Sequence, residues 1–188
     1  MSISRIAVCA VLGAALAACS DGNNNNKNGP EPTPTPTTSP EPSLTYSAEV
    51  RRTEYGIPHI KAEEWGSLGY GYGYAYSQDN YCVTMREIAL ASGRSAELMG
   101  AQEGNLDQDF LWRYLNGSKE EFRAKYFDTG PQFAQDLLKG YVAGMNRYLR
   151  ETGVENLAEG DAGCRNANWV YEIDEFDLFR PLRRRALS

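Results

Sequence analysis

Between Ser67 and Ser92 the chain reads as one long helix, yet its first turns carry glycine at every second position: Gly69-Tyr70-Gly71-Tyr72-Gly73-Tyr74-Ala75. Each glycine in a helix interior costs about 1 kcal/mol relative to alanine. The sequence must recover this loss through close approach of the backbone to a neighbouring element. Ala75, Gln78, Cys82, Met85 and Ala89 recur at helical spacing and form the expected inward face, with Ser67 as the expected cap. A dinucleotide-binding loop is excluded: Gly69-x-Gly71 is followed by Tyr74 where a third glycine would stand, and no strand leads directly into it. The interleaved tyrosines could stack on nucleic-acid bases. The net charge of −6 argues against that partner, and packing against a sheet is the preferred expectation.

Upstream, Ser47–Thr53 alternates as a strand. Gly56 supplies a turn, and Ile57 must stay extended before Pro58. The lone histidine, His59, has no local nucleophile or orienting partner, so a structural role is expected rather than general-base catalysis. Asp79 is expected to form an ordinary ion pair, with Arg86 as a candidate, and Arg94 to pair with Glu97. Downstream, Ser118 and Glu121 form a capping box. Gly130-Pro131 opens a longer helix with the stripe Phe133, Leu137, Tyr141, Gly144 and Tyr148, and Gly153 closes it. A last helix is expected over Asp177–Ser188, with Pro181 tolerated in its first turn. No stop signal stands at Ser188, so the chain reads as a truncated product, a fragment or a broken reading frame.

The first 45 residues lie outside this pattern. Residues 1–18 have the charged start, short apolar stretch and small-residue cleavage site of a signal peptide. Leu16-Ala17-Ala18-Cys19 resembles a bacterial lipobox, which would make Cys19 the lipidated N-terminus. An ordinary signal peptide with an incidental cysteine is the alternative. Ser20 after the cysteine resembles outer-membrane sorting, so a membrane-anchored lipoprotein of the periplasm or cell surface is expected. Residues 19–45 are an Asn/Pro/Thr-rich tether too polar to build a core. Alternating prolines favour an extended polyproline II spacer, although disorder without a spacing role accounts for the composition equally well. This leaves residues 46–188 as one domain, with Cys82 and Cys164 as an even pair in an oxidising compartment. A bond between them would be worth about 4 kcal/mol by chain entropy. Two buried free thiols are the alternative.

The segments Val50–Ile60, Gly69–Asn80, Gly93–Gly100 and Leu137–Arg150 together resemble the start of the α-chain of penicillin-acylase-type N-terminal-nucleophile hydrolases, closest to the acyl-homoserine-lactone and aculeacin A acylase branch. The resemblance spans nearly all of residues 46–188. It implies an α+β fold, mostly helical in this segment, as the incomplete α-chain part of a four-layer αββα sandwich. It favours the Cys82–Cys164 disulfide, because that branch tends to carry both cysteines. It implies a hydrolase of linear amides that removes a fatty or aromatic acyl group from an N-acyl-homoserine lactone, a lipopeptide or a β-lactam antibiotic. The nucleophile would be an N-terminal serine on a downstream β-chain exposed by self-cleavage, with its own α-amine as base. No catalytic residue, metal ligand or cofactor is then expected in this chain, and Ser188, which lacks a free α-amine, is no candidate. The helix after Trp169 would border the acyl pocket, with Ala186 at its wall. Two other readings are a non-catalytic surface lipoprotein derived from a truncated acylase, and a hydrolase using paired carboxylates among Asp79, Glu97, Asp107 and Asp109.

Overall fold

The computed structural model describes residues 45–100, 105–158 and 163–187. The signal peptide, Cys19, the tether and Ser188 lie outside the described residues. Strands β1 (Glu49–Arg52) and β2 (Pro58–Lys61) form an antiparallel hairpin with Val50 opposite Ile60 and Arg51 opposite His59. Its turn requires positive φ, which Gly56 adopts at +79°. The Gly56 N–H donates to the Thr53 carbonyl at 2.9 Å, and the Ile57 N–H donates to Thr53 Oγ1 at 3.2 Å. Because side chains alternate along a strand, Val50 and Ile60 share one face. That face rests on helix α1 (Trp65–Ala91), where a Cβ at Gly71 would come within 2.8 Å of Ile60 Cγ2.

Helix α1 crosses α5 (Gln132–Thr152) backbone to backbone, and this contact organises the molecule. A Cβ on Gly69 would collide with the Leu137 carbonyl, one on Gly73 with that of Tyr141, and one on Gly144 with that of Tyr70. Positions rise together on both helices, so α1 and α5 run parallel. The chain returns between them through α2 (Ser95–Met99), α3 (Leu106–Asn116), α4 (Lys119–Phe122) and a π-helical turn, Arg123–Phe127. The glycine run therefore faces two ways, with Gly69 and Gly73 toward α5 and Gly71 toward the hairpin. Most of the tyrosines pack against a helix rather than the sheet: Tyr72 meets Tyr141 edge-on at 5.3 Å, and Tyr74 meets Tyr148 at 6.0 Å.

Several sequence expectations need correction here. Helix α1 begins at Trp65, ahead of Ser67, which is buried and accepts a hydrogen bond from the Ser47 N–H at 3.1 Å instead of capping. Gln78 is exposed rather than inward, turned toward Arg52, and the helix departs from helical geometry just after it, at Asn80 (φ −139°, ψ 22°). Arg52 occupies this kink. Its guanidinium donates to the Ala75 carbonyl, Gln78 Oε1 and Asp79 Oδ2 at 3.0–3.1 Å, and to the Gly56 carbonyl at 2.7 Å. Asp79 thus pairs with Arg52 on the hairpin. Phe133 is half-exposed, in tilted contact with Trp65 beyond the end of the core.

The core joins Tyr81, Met85 and Ile88 of α1 and Met145, Tyr148 and Leu149 of α5 to the segment that carries Leu157, Trp169, Val170 and Ile173. Two ties hold that segment. Cys82 and Cys164 are disulfide-bonded, with 5.7 Å between their Cα atoms. The Asn146 side chain pairs with the Ile173 backbone, donating to its carbonyl at 2.8 Å and accepting from its N–H at 2.9 Å. The last helix, α6 (Glu175–Leu187), follows at once.

Candidate functional site

Helix α6 starts two residues before the expected Asp177, because Asp174 takes the capping role. The Asp177 N–H donates to Asp174 Oδ1 at 2.9 Å, and the Asp174 N–H donates back to Asp177 Oδ2 at 3.1 Å. This reciprocal pair satisfies two backbone donors at the helix start. Its sequence signal, Asp174-x-x-Asp177 ahead of an apolar run, was legible. Pro181 consequently lies in the second turn, buried, where its ring removes one backbone hydrogen bond.

Side chains fix the axis of α6 along its length. Lys119 Nζ donates to Asp174 at 2.6 Å. Phe176 stacks on Phe122 at 5.4 Å, and Phe179 meets Phe122 at 4.6 Å and Tyr126 at 5.1 Å. Arg183 donates to the Leu115 carbonyl, and Arg184 pairs with Glu87 at 3.5 Å. Within the first turns, the largely buried Arg180 pairs with Asp177. Burial pushes the Asp177 carboxyl above its ordinary value, against the opposing pull of Arg180. Burial likewise pushes the Tyr171 hydroxyl, which donates to Asp177 at 3.3 Å, up to about 12. Toward the C-terminal end of the helix Leu182, Ala186 and Leu187 are exposed.

The carboxylates considered for acid–base work do not form a pair. Asp109 is buried rather than a surface group. It accepts hydrogen bonds from Ser95 N–H at 2.8 Å, Ser95 Oγ at 2.7 Å and Ala96 N–H at 2.7 Å. Burial alone would raise its pKa, but these donors outweigh that effect and hold it below the ordinary value. It is therefore an acceptor that orients α2 rather than a proton donor. Glu97 is exposed and bound by Arg94 at 2.6 Å and Arg113 at 3.3 Å, Asp79 is bound by Arg52, and Asp107 is exposed. His59 is also exposed, on the outer face of the hairpin. Buried serine hydroxyls serve the backbone: Ser77 donates to the Gly73 carbonyl and Ser92 to the Ala89 carbonyl, both at 2.7 Å. Among the described residues, no group of three or more metal-ligating side chains converges.

A concavity of about 500 Å³ lies between the hairpin, α1 and α5, with Arg52, Gln78, Tyr70, Tyr74 and Arg147 on its walls. Its polar groups are already engaged. Arg147 bonds to Glu151 at 2.5 Å and to the Tyr70 hydroxyl, and Tyr74 donates to Glu151 at 2.8 Å.

Parallel helices with glycine-to-backbone contacts, a hairpin laid across the first of them, and a C-terminal helix packed against both define the class of this fold. The model of the penicillin amidase family matches residues 47–180, and the chain belongs to that family. It is 35% identical over 147 residues to aculeacin-A acylase of Actinoplanes utahensis, covering 72% of this chain and 18% of that one. It is 38% identical over 143 residues to the acyl-homoserine lactone acylase PvdQ of Pseudomonas syringae pv. syringae, covering 73% and 18%. Over 128 residues it is 31% identical to the penicillin acylase 2 proenzyme of a Pseudomonas species, covering 68% and 16%. The fold matches that of the thermostable penicillin G acylase from Alcaligenes faecalis with a TM-score of 0.62 and 24% identity, covering 74% of this chain and 72% of that one. The chain thus spans about a fifth of the length of the relatives it matches.

Proposed function

We propose that this chain is the N-terminal, α-chain part of an amide-hydrolysing acylase whose nucleophilic serine lies on a downstream β-chain of the same precursor. The observation that carries this reading is the combination of family membership with polar side chains committed to structure. Asp79, Glu97, Asp109 and the buried serine hydroxyls are engaged in holding the fold together, which supports a nucleophile elsewhere in the polypeptide. One relative bears the name proenzyme, which supports maturation by processing. Substrates of the relatives point to a fatty or aromatic acyl amide, such as an N-acyl-homoserine lactone or a lipopeptide antibiotic.

In this reading the exposed face of α6, with Ala186 on it, contributes to the acyl pocket wall. An apolar wall gains from burying each methylene of an acyl chain, about 0.8 kcal/mol apiece. Cys19 carries the lipid that anchors the enzyme to the outer membrane, and residues 19–45 hold the catalytic body away from it. Multiple acyl chains give the firm attachment that a single chain does not. The test is the deacylation rate of the longer protein on a series of N-acyl amides, with Ala186→Trp as a variant. A bulky ring at the wall is expected to depress the rate on long acyl chains by an order of magnitude or so while sparing short ones. An unchanged chain-length profile would remove Ala186 from the pocket.

A further inference from the structure

Helix α3 buries Trp112 together with polar residues and leaves a second apolar face in the open. Leu106, Phe110 and Tyr114 recur every fourth residue on one side, with Leu111 beside them. They are exposed by 61, 67, 86 and 50%, whereas Asp109 and Asn116 on the opposite side are only 5 and 7% exposed. Turning the helix about its axis would bury the exposed apolar side at the expense of Trp112, Asp109 and Asn116. Specific bonds prevent that turn. Asp109 holds the three donors of Ser95 and Ala96, Asn116 Nδ2 donates to the Ala91 carbonyl at 2.7 Å, and Arg113 Nε donates to the Gly93 carbonyl at 2.7 Å. Gly93, at φ +71°, has no Cβ to block this seating, since one would meet the Asp109 carbonyl oxygen at 2.6 Å. The apolar face is thus presented outward by a polar lock.

We propose that this outward face of α3 is the seat of the polypeptide that follows this chain in the longer acylase. The inference rests on the acylase reading and adds to it the surface where the two parts meet. Three observations select this occupant. The matched region is only 18% of each of the two relatives above, so most of their polypeptide lies outside it and must cover some of its surface. The apolar centre is rimmed by the Arg94–Glu97–Arg113 ion pairs, the arrangement of a protein interface with a dry core and a polar rim. Beside Phe110 a groove of about 100 Å³, lined by Ala96, Glu97, Leu106 and Arg113, has the size of one inserted side chain. A rim of both charge signs fits a protein surface better than a lipid headgroup layer.

Hydroxyl-radical footprinting of the longer protein, read by mass spectrometry, tests this without any substitution. Phe110 and Tyr114 are expected to oxidise about tenfold more slowly than in the urea-unfolded protein, as slowly as the buried Trp112. Oxidation at the unfolded rate would overturn the proposal. So would protection that depends on protein concentration, which would mark a second copy, or on added phospholipid vesicles. Separately, Phe110→Lys combined with Tyr114→Lys changes only exposed side chains of this chain. It is expected to abolish stable association with the downstream polypeptide, and intact association would refute the assignment. Neither readout uses acylase activity. Failure of the acylase reading alone would therefore show as absent deacylation with the face still protected.

Discussion

Asp109 is the residue where burial and charge conflict most openly. A carboxylate taken out of water is costly unless its lone pairs are satisfied, and here three donors from Ser95 and Ala96 satisfy them. Its folded pKa lies below its unfolded value near 3.8. The stabilisation is therefore fully present above that value and is lost as pH falls through the folded pKa. Asp109→Asn should cost about 1–3 kcal/mol at neutral pH, because an amide group then faces backbone donors. It should also flatten the loss of stability below pH 4, and urea titrations at pH 7 and pH 3 measure both effects. Little of this was legible beforehand: a carboxylate in a helix reads as a surface group, and only the fold brings Ser95 across to it. The Arg52–Asp79 pair escaped for the same reason, since 27 residues separate partners that the hairpin brings together. Local pairings were readable, including the Ser118–Glu121 capping box and the Arg94–Glu97 pair.

Among the elements, the α1–α5 contact depends most on particular residues. Close approach was foreseeable from the glycine run, but not its partner or its parallel sense, because Leu137, Tyr141 and Gly144 lie some 70 residues downstream. Helix propensity alone predicts that Gly144→Ala stabilises by about 1 kcal/mol. The added methyl would meet the Tyr70 carbonyl, with Tyr74 N at 2.8 Å, and overpacking of rigid backbone costs about 1–3 kcal/mol or more. The second effect should win, so a net destabilisation of 1 kcal/mol or more is expected by thermal melting. A higher melting temperature would mean that the helices can separate freely. The stripe on α5 was right at Gly144 and Tyr148 and wrong at Phe133, where periodicity runs past the end of the core. Pro181 was placed a turn too early because Asp174, not Asp177, starts α6.

At the scale of the whole molecule, Cys164 is covalently tied to α1 through Cys82, and Ile173 is tied non-covalently to α5 through Asn146. The bond spans 82 residues, so its loss should cost about 4 kcal/mol by chain entropy. Cys164→Ser is expected to lower the melting temperature by many degrees, to the same value as the reduced wild type, and equal stability of oxidised and reduced protein would contradict this. The helical class and the family resemblance were legible in the sequence, because they rest on glycine spacing and long ordered motifs. The long-range partners of the candidate acids were not legible, because only the fold brings Ser95 to Asp109 and Arg52 to Asp79.

The most direct test of that account is the rate of amine release from an N-acyl-homoserine lactone, measured on purified residues 46–188 and on the longer protein with its downstream polypeptide. The account predicts no deacylation above the buffer rate for residues 46–188, and turnover by the longer protein that is lost when its new N-terminal serine is replaced by alanine. Deacylation by residues 46–188 alone would contradict it, since a nucleophile would then have to lie within this chain.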